Sequence, residues 1–588
     1  MSVLGIDLGT SNSAMALCPE AKDAKAYLLN IPQVSVQQQI GVEEKLLPSV
    51  LYACDESEKA LLKLKGNDTY VAGVFAREKA YERPDRAILS AKSWLSASYA
   101  DRLQPILPMG SECVEKLSPV DASISILKQL ESAWVESAQD IKRTVVTVPA
   151  SFDETARQLT MKAIQATSFP KVSLLEEPQA AFYAWLAQNE NWRDQVQPGD
   201  VILVCDIGGG TTDMTLVLVQ EKNGEVELER IAVGQHLLLG GDNMDLALAM
   251  KLAQDLGALD HWQIQSLVQS CRIAKEKLWN DDSLSEIKVS VAARSAKLFA
   301  KTLSTTLTRD TLNEFILEGF FPKIGVESQP MKSRQSGLRD MGLRYVQDPA
   351  ITKHIAEFLV SSLRSLKDTE YSELLQKHMN QGFVSPNAIL FNGGVFKAET
   401  LRQRVVQVVS SWGNYAVTPL MTESLDSAVA YGAAVYGQLC ESGEGIRVRA
   451  GTSHSYYLGV EAPGMAIPGM TPRINGVCVV PQGTEEGSSV MLDQKTFGLV
   501  VGEPVEFQFF QSSQRASDHL GAVVGQAEQV LDKAGCLTMT IPLDESHGRE
   551  VIPVLLKSYV SELGVLELSL KHTLSERSWK LEFDVRAE

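Results

Sequence analysis

The chain lacks the features of several protein classes. Its eight cysteines are scattered without a Cys-x-x-Cys pair, which argues against zinc binding, and we expect reduced thiols in the core. No apolar run approaches the ~18 residues that span a bilayer. Acidic residues outnumber basic ones by 73 to 55, and a net charge of -18 disfavours nucleic acid or an acidic membrane as partner. The first motif begins at Gly5, which leaves no room for a secretory leader, so we expect a cytoplasmic protein.

At 588 residues the chain exceeds what one hydrophobic core usually serves, so two or more domains are expected. Up to residue 440, strand-like and helix-like stretches alternate, which indicates an α/β domain with helices packed on mixed sheets. The predicted strands are Val3–Asp7, Thr144–Val148, Val201–Ile207, Met214–Val219 and Ala388–Phe391. The predicted helices are Val120–Ala138, Asp153–Thr167, Asp242–Leu256, Ile351–Leu366, Glu399–Ser411 and Leu425–Leu439.

The pattern changes after a polar, glycine-containing joint, and we predict a linker over residues 441–449. Residues 450–588 contain short alternating runs separated by turn clusters such as Asn475-Gly476, which predicts an all-β sandwich with no long helix after it. The predicted runs are Val505–Phe510, Leu537–Ile541, Val551–Lys557, Val565–Leu570 and Trp579–Val585. The basic, polar stretch 323–344 has few apolar anchors and is interpreted as an inserted, solvated loop of undefined role.

Two segments almost two hundred residues apart have the composition of a phosphate site. Residues 5–13 and 205–213 each place an aspartate at the end of an apolar strand, continue with glycine and hydroxyl residues, and then resume a strand. Glycines let backbone N–H groups approach a phosphate, and hydroxyls add donors. The aspartates, Asp7 and Asp206, can hold Mg²⁺ through its waters. Two copies in one chain predict ATP bound between two related half-domains.

Separated motifs, in the same order, resemble those of the heat-shock 70 kDa (DnaK-type) chaperone family. Besides the two phosphate segments, the resemblance lies in the stretches at 88–95, 147–150, 175–181, 239–245, 392–395 and 426–434. The chain is identified as a divergent, lidless, bacterial-type member. The resemblance implies an actin-like ATPase domain over residues 1–440, which binds ATP or ADP with Mg²⁺ between two lobes. It also implies a substrate-binding β domain over residues 450–588.

The resemblance assigns roles by position. Lys92 would stabilise charge on the γ-phosphate, Glu177 would lie near the attacking water, and Asp206 and Thr211 would complete the catalytic set. The implied nucleotide-binding residues are Gly9, Thr10, Ser11, Asn12, Gly208, Gly209, Gly210, Thr211, Gly240, Gly241, Lys275, Gly393, Gly394 and Asp426. The implied metal residues, acting mostly through water, are Asp7, Asp206 and Asp213. Pro149 and Arg157 match the pair that relays the nucleotide state outward.

The chain also departs from the family. Arg272 and Trp279 stand where the adenosine-contacting helix has a glutamate and a hydroxyl residue. Ser173 and Glu176 replace an arginine and an asparagine that help to receive J-domain cochaperones, and 446–449 replaces a leucine-rich linker. The resemblance therefore gives no support for a J-domain cochaperone or a nucleotide exchange factor as partner, and it does not identify the peptide-binding residues.

Three functions remain open at this point. The first is a slow ATPase of chaperone type that couples its nucleotide state to the binding of a polypeptide client by the β domain. The second is a nucleotide-gated interaction module for one dedicated protein partner, which the missing lid, linker and J-domain contacts favour. The third is a small-molecule kinase of the actin-like fold, against which the β domain and residues 205–213 argue.

Overall fold

The computed structural model describes most of the chain. The described residues are 2–20, 25–35, 41–62, 69–97, 100–222, 225–291, 302–331, 343, 345–367, 371–372, 375–379, 382–413, 416–442, 448–449, 452, 454–462, 473–484, 488–502, 504–512, 515, 517–540, 550–560, 566–575 and 577–581. The core of the predicted linker, 443–447, and the central part of the predicted insertion, 332–342, lie outside the described residues.

The first lobe consists of the elements from Ser2 to Gln188. They are β1 (Ser2–Asp7), β2 (Asn12–Pro19), β3 (Tyr27–Leu28), β4 (Ile31–Val34), β5 (Gly41–Glu44), β6 (Leu46–Pro48), β7 (Leu51–Ala53), α1 (Glu56–Leu62), β8 (Tyr70–Ala72), α2 (Val74–Glu82), β9 (Ala87–Ile88), α3 (Ala91–Leu95), α4 (Pro119–Ser137), β10 (Ile141–Val148), α5 (Glu154–Gln165), β11 (Val172–Glu176) and α6 (Glu177–Gln188).

The second lobe follows from Val201. Its elements are β12 (Val201–Ile207), β13 (Thr212–Lys222), β14 (Glu225–Val233), α7 (Gly241–Leu256), α8 (His261–Asn280), β15 (Glu286–Val291), β16 (Leu303–Thr308), α9 (Arg309–Leu312), α10 (Glu318–Phe320), α11 (Ile351–Leu366), β17 (Ala388–Asn392), α12 (Glu399–Trp412), β18 (Thr418–Leu420) and α13 (Ala428–Ser442).

The main sheets of the two lobes repeat one another strand for strand. Their orders are β11-β10-β1-β2-β3 and β18-β17-β12-β13-β14, with the same mixture of parallel and antiparallel pairs. Even the register agrees, because Asp7 pairs with Ala14 and Asp206 pairs with Asp213, the same separation along the chain. The predicted α/β class with helices on mixed sheets is confirmed, and the two loops after β1 and β12 occupy equivalent positions.

Sequence patterns located six of the helices within a few residues, but they missed α6 and the 20-residue α8, long strands such as β14 and Ser489–Val501, and the short strands. The antiparallel pair β4–β5 and the sheet β8-β7-β9 consist of strands with two to four residues. Runs this short show no periodicity, so their pairing depends on contacts with the rest of the lobe.

Two helices, α6 and α13, lie between the main sheets and share one core with both. This core contains Val3 of β1, Ile202 of β12, Phe182 of α6 and Ala433 of α13, all essentially inaccessible to solvent. The helices touch where Gly432 meets Ala180, because a Cβ atom built on Gly432 would lie 1.7 Å from the Ala180 carbonyl oxygen. Only a residue without a side chain fits this contact.

We therefore expect Gly432→Ala to destabilise the two-lobed part of the protein by about 3 kcal/mol, the upper end of the usual range for overpacking, because backbone atoms would have to move apart. Gly319→Ala is the matched control, since its added methyl group would meet no atom within 4 Å. Urea denaturation followed by circular dichroism measures both variants. Equal unfolding midpoints for the two substitutions would contradict the close-contact argument.

The remaining elements follow α13. They are β19 (Val448–Arg449), β20 (Ser455–Glu461), β21 (Ile474–Val480), β22 (Ser489–Val501), β23 (Pro504–Ser512), β24 (Val523–Val524), α14 (Ala527–Val530), β25 (Asp532–Thr540), β26 (Glu550–Val560), β27 (Leu566–His572) and β28 (Ser578–Leu581). Strand β19 joins the main sheet of the second lobe, and the later strands form two further sheets. Antiparallel sheets β24-β21-β20-β23-β25 and β22-β26-β27-β28 bury a common core that includes Leu458 and Leu568. The predicted runs 537–541 and 579–585 end outside the described residues.

This C-terminal part contacts both lobes. Strand β19 pairs in parallel with β14 of the second lobe, with Val448 opposite Leu228. On the first lobe, the Thr155 hydroxyl of α5 donates a hydrogen bond of 3.4 Å to the carbonyl oxygen of Ala534.

The cysteines correct one expectation. None of the eight, which all lie among the described residues, forms a disulfide; five are buried, but Cys113 and Cys440 are exposed and Cys536 is half-buried. The prediction of core thiols is therefore wrong for these three. Among the described helices, none combines the length and the apolar character needed to cross a bilayer.

Candidate functional site

A cleft of about 940 Å³ separates the two lobes. Most of the sequence-predicted site residues line it, from both lobes. Those in the wall are Asp7, Gly9, Thr10, Ser11, Asn12, Lys92, Pro149, Glu177, Asp206, Gly208, Gly209, Thr211, Gly241, Lys275, Gly393, Gly394 and Asp426. Gly210, Gly240, Asp213 and Arg157 lie outside the wall, and their positions are described below.

The loops after β1 and β12 form tight turns that face each other. A Cβ on Gly9 would lie 2.0 Å from the Asn12 carbonyl oxygen, and at the equivalent position Gly208 N–H donates to the Thr211 carbonyl oxygen at 2.9 Å. Gly209 meets the opposite loop, because its Cβ would lie 2.1 Å from Ser11 Oγ. Among the described residues, the buried Ser11 Oγ has no hydrogen-bond partner, as expected of a hydroxyl that contacts a ligand.

The N-terminus of α7 holds the second loop in place. The N–H groups of Gly241 and Asp242 donate to the carbonyl oxygens of Gly208 and Gly209 at 3.1 and 2.7 Å. A Cβ on Gly240 would lie 2.5 Å from the Gly209 carbonyl oxygen. Gly240 therefore supports the loop from behind, whereas its sequence assignment was direct nucleotide contact. Gly210 packs against the opposite loop, because a Cβ atom on Gly210 would lie 2.9 Å from Thr10 Cγ2.

Buried carboxylates face the floor of the cleft. Thr147 Oγ1 of β10 donates to Asp7 at 3.3 Å, and Asn392 Nδ2 of β17 donates to Asp206 at 2.6 Å, so equivalent strands supply equivalent donors. Burial raises the pKa of Asp7 to about 7, and the negative charge of Glu177 adds to this effect against the opposing charge of Lys92. Burial, and then Glu177, raises the pKa of Asp206 to about 8. The neighbouring positive charge is therefore too small to offset the burial of either carboxylate.

Lys92 of α3 supplies a cation to this floor. Its ammonium pairs with Glu177, and the two side chains are 7% and 12% exposed. Burial works against the charged ammonium, but Glu177 and Asp7 outweigh it and raise the pKa of Lys92. The lysine therefore stays charged inside the cleft.

Asp213 lies beside this group and is held by two side chains that sequence reasoning missed. Ser151 Oγ donates to Asp213 Oδ1 at 2.6 Å, and His236 Nδ1 lies 3.0 Å from the same oxygen. Burial alone would raise the pKa of Asp213, but His236 and Ser151 lower it. The bridge between Thr212 and Leu237 places His236 here, and no sequence pattern indicates that pairing.

The donor set fits a hydrated magnesium ion. Within the described part of the chain, no three carboxylate, imidazole or thiol groups are placed to ligate one ion directly. Mg²⁺ usually keeps several waters and takes only one or two carboxylates together with phosphate oxygens. Asp7 and Asp206, which precede the two glycine loops and have raised pKa values, provide such a partial set.

The other end of the cleft is lined by α8 and α2. Lys275 pairs with Asp245 at 2.6 Å, and its ammonium lies 5.7 Å from the centre of the Trp279 ring. Arg272, which departs from the family pattern, lines the same wall and pairs with Glu276 at 3.3 Å. Because both cations are paired with carboxylates, this wall presents neutralised ion pairs and an aromatic ring, which suit a base and its ribose better than a phosphate chain.

Pro149 lies in the cleft wall, whereas Arg157 lies behind it with Glu176. Arg157 Nη2 is 2.5 Å from Glu176 Oε1, and Arg230 of β14 pairs with the other carboxylate oxygen. The three side chains are 6%, 3% and 4% exposed in the order Arg157, Glu176, Arg230. Sequence reasoning noted Glu176 as a departure but did not identify Arg230 as its partner.

Comparison with known proteins gives a consistent result. Residues 67–332 match the family model described as Hsp70 protein. The chaperone protein HscA homolog of Acinetobacter baumannii is 29% identical over 352 residues, which cover 58% of this chain and 50% of the relative. The chaperone protein DnaK of Nitrosopumilus maritimus is 29% identical over 327 residues, covering 53% and 44%. The HscA homolog of Pasteurella multocida is 34% identical over 259 residues, covering 41% and 36%. The chain spans about half the length of the curated relatives it matches.

Proposed function

Because this chain belongs to the Hsp70 family, we propose that it is an ATP-dependent chaperone that binds ATP with Mg²⁺ in the cleft and hydrolyses it slowly to ADP and phosphate. The observation that carries the proposal is the group of buried carboxylates around Lys92, which faces two glycine loops. A divalent cation would supply the positive charge that these carboxylates lack, and a polyphosphate would complete the coordination of the cation and face Lys92.

The glycine loops suit the phosphate chain. The close contacts at Gly9 and Gly209 leave room for no side chain, so backbone N–H groups and the hydroxyls of Thr10, Ser11 and Thr211 would meet the phosphate oxygens. The wall of α8 would hold the base and ribose at the other end.

Hydrolysis would depend on positioning and charge. When bound, Mg²⁺ would neutralise charge on the phosphate oxygens. Lys92, already desolvated, would stabilise the charge that develops on the transferred phosphoryl group. Glu177 would orient the attacking water, and Asp7, Asp206 and Asp213 would bind the metal waters, with Asp213 fixed by His236.

The C-terminal sheets would provide the output. We interpret them as a β-sandwich that binds a polypeptide client, and their contacts at Ala534 and Val448 would make binding sensitive to the nucleotide state. Two arginines enclose Glu176, and we interpret this as an alteration of the surface that receives J-domain cochaperones in the family. This feature favours one dedicated protein partner as the second candidate.

We expect the protein to release phosphate from ATP in the presence of Mg²⁺ and to stop when EDTA removes the metal. Phosphate release is measured with and without unfolded peptides and a J-domain protein. Stimulation by peptide would support the chaperone function, and stimulation by neither addition would support the dedicated partner. Phosphate found on a small-molecule acceptor, with none in solution, would contradict both and favour the kinase alternative.

A further inference from the structure

Two adjacent glutamates at the junction of β11 and α6 place their carboxylates in different environments. Glu177, the first residue of α6, pairs with Lys92 in the cleft. Glu176, the last residue of β11, points into the cluster with Arg157 and Arg230. One peptide unit joins them, so the position of one backbone fixes that of the other.

The cluster connects the two lobes directly behind the cleft. Glu176 and Arg157 belong to β11 and α5 of the first lobe, and Arg157 Nε also donates to the Phe152 carbonyl oxygen at 3.3 Å. Arg230 belongs to β14 of the second lobe. A change in the angle between the lobes would therefore change the geometry of the ion pair between Arg230 and Glu176.

The C-terminal part closes over the same cluster. Strand β19 pairs with β14 two residues before Arg230, at Leu228. His454, at the start of the C-terminal sheets, lies near both arginines; burial, and then the charges of Arg157 and Arg230, lower its pKa to about 4. A neutral His454 adds no third positive charge, so one carboxylate between two guanidiniums can remain buried there.

We propose that Arg230 and Arg157 are positioning residues for ATP hydrolysis, which fix Glu176 and thereby set the place of the Glu177 carboxylate relative to the attacking water. Neither arginine touches the cleft, so both act through Glu176. The proposal rests on the function proposed above. It assigns Glu176 an indirect role in hydrolysis, through the position of Glu177.

Arg230→Gln tests the proposal, because it leaves the Arg157–Glu176 pair neutral and should permit folding. We expect kcat for ATP to fall roughly 10- to 100-fold while KM changes little, since the nucleotide contacts are untouched. Arg230→Lys keeps the charge and should recover most of the loss. Arg404→Gln is the control, because Arg404 is similarly buried and pairs with Glu318 at 2.6 Å away from the cleft.

Glu177→Gln separates this inference from the proposed function. Full turnover in Glu177→Gln would overturn the function assigned to that carboxylate and the inference with it. Loss of turnover in Glu177→Gln with wild-type kcat in folded Arg230→Gln would overturn the inference alone. Should Arg230→Gln not fold, as judged by circular dichroism, Arg157→Gln decides in the same way, with reduced kcat at constant KM supporting the proposal and unchanged kcat refuting it.

Discussion

Replacing Lys92 by alanine should abolish hydrolysis, with kcat lowered about 10³-fold, while nucleotide binding remains measurable. The lysine is desolvated and pairs with Glu177, so it provides positive charge where charge develops on the phosphoryl group. The phosphate loops and the wall of α8 do not depend on it. Single-turnover hydrolysis measures the first effect, and the fluorescence change of a mant-labelled ADP measures the second.

Lys353→Ala is the matched control for this substitution. Lys353 forms an ion pair with Asp348 at 2.9 Å, on α11 of the second lobe and outside the cleft. Its loss should leave kcat within about twofold of the wild-type value. Wild-type turnover in Lys92→Ala would remove Lys92 from the catalytic set, and complete loss of binding would make it a nucleotide-binding residue instead.

Asp206→Asn should have two effects of opposite sign. Hydrolysis should fall by about 10²-fold or more, because a carboxylate that binds the metal waters is lost. In the metal-free protein, the same change should raise the free energy of unfolding at pH 8 by roughly 1–3 kcal/mol, since it removes one of several buried like charges. Phosphate release with Mg²⁺ and urea denaturation in EDTA measure the two effects.

The pH dependence follows from the raised pKa of Asp206, about 8 in the folded chain against an ordinary value of 3.8. Between these values the folded chain holds a proton that the unfolded chain releases, so the free energy of unfolding in EDTA should fall as pH rises from about 4 to about 8. Asp206→Asn should flatten this slope. The same slope in variant and wild type would contradict the assignment.

Asp348→Asn offers a control with the opposite sign. Burial would raise the pKa of Asp348, but Lys353 and backbone N–H groups outweigh it and lower the pKa. Its charged form stabilises the folded state, so the asparagine variant should be less stable at neutral pH.

The sequence locates the two glycine loops of the cleft because both loops are local motifs. The order of glycine and hydroxyl residues around Gly9 and Gly208 identifies the two loops, and in the structure the loops face each other across the cleft. Lys92 carries no such local signal. Lys92 pairs with Glu177, which lies 85 residues further along the chain. Only the resemblance to a family indicated Lys92 as a site residue.

Residues that act through distant partners could not be predicted. His236 reaches Asp213 through an isolated bridge between strands, and Arg230 reaches Glu176 across the lobes. Neither contact leaves a periodic trace in the sequence. The domain limits 1–440, 441–449 and 450–588, the cytoplasmic location and the roles of the site residues stay predictions.

The contact between Gly432 and Ala180 has a mechanical consequence. It lies three residues beyond Glu177 along α6, so two backbones meet close to the floor of the cleft. Helices that touch backbone to backbone can rotate about the contact more easily than they can slide. A rotation about this contact would displace each part of the two lobes in proportion to its distance from the contact. The contact would then be a pivot, so that a small rotation caused by the bound nucleotide would produce larger displacements in the parts of the lobes that lie farthest from it.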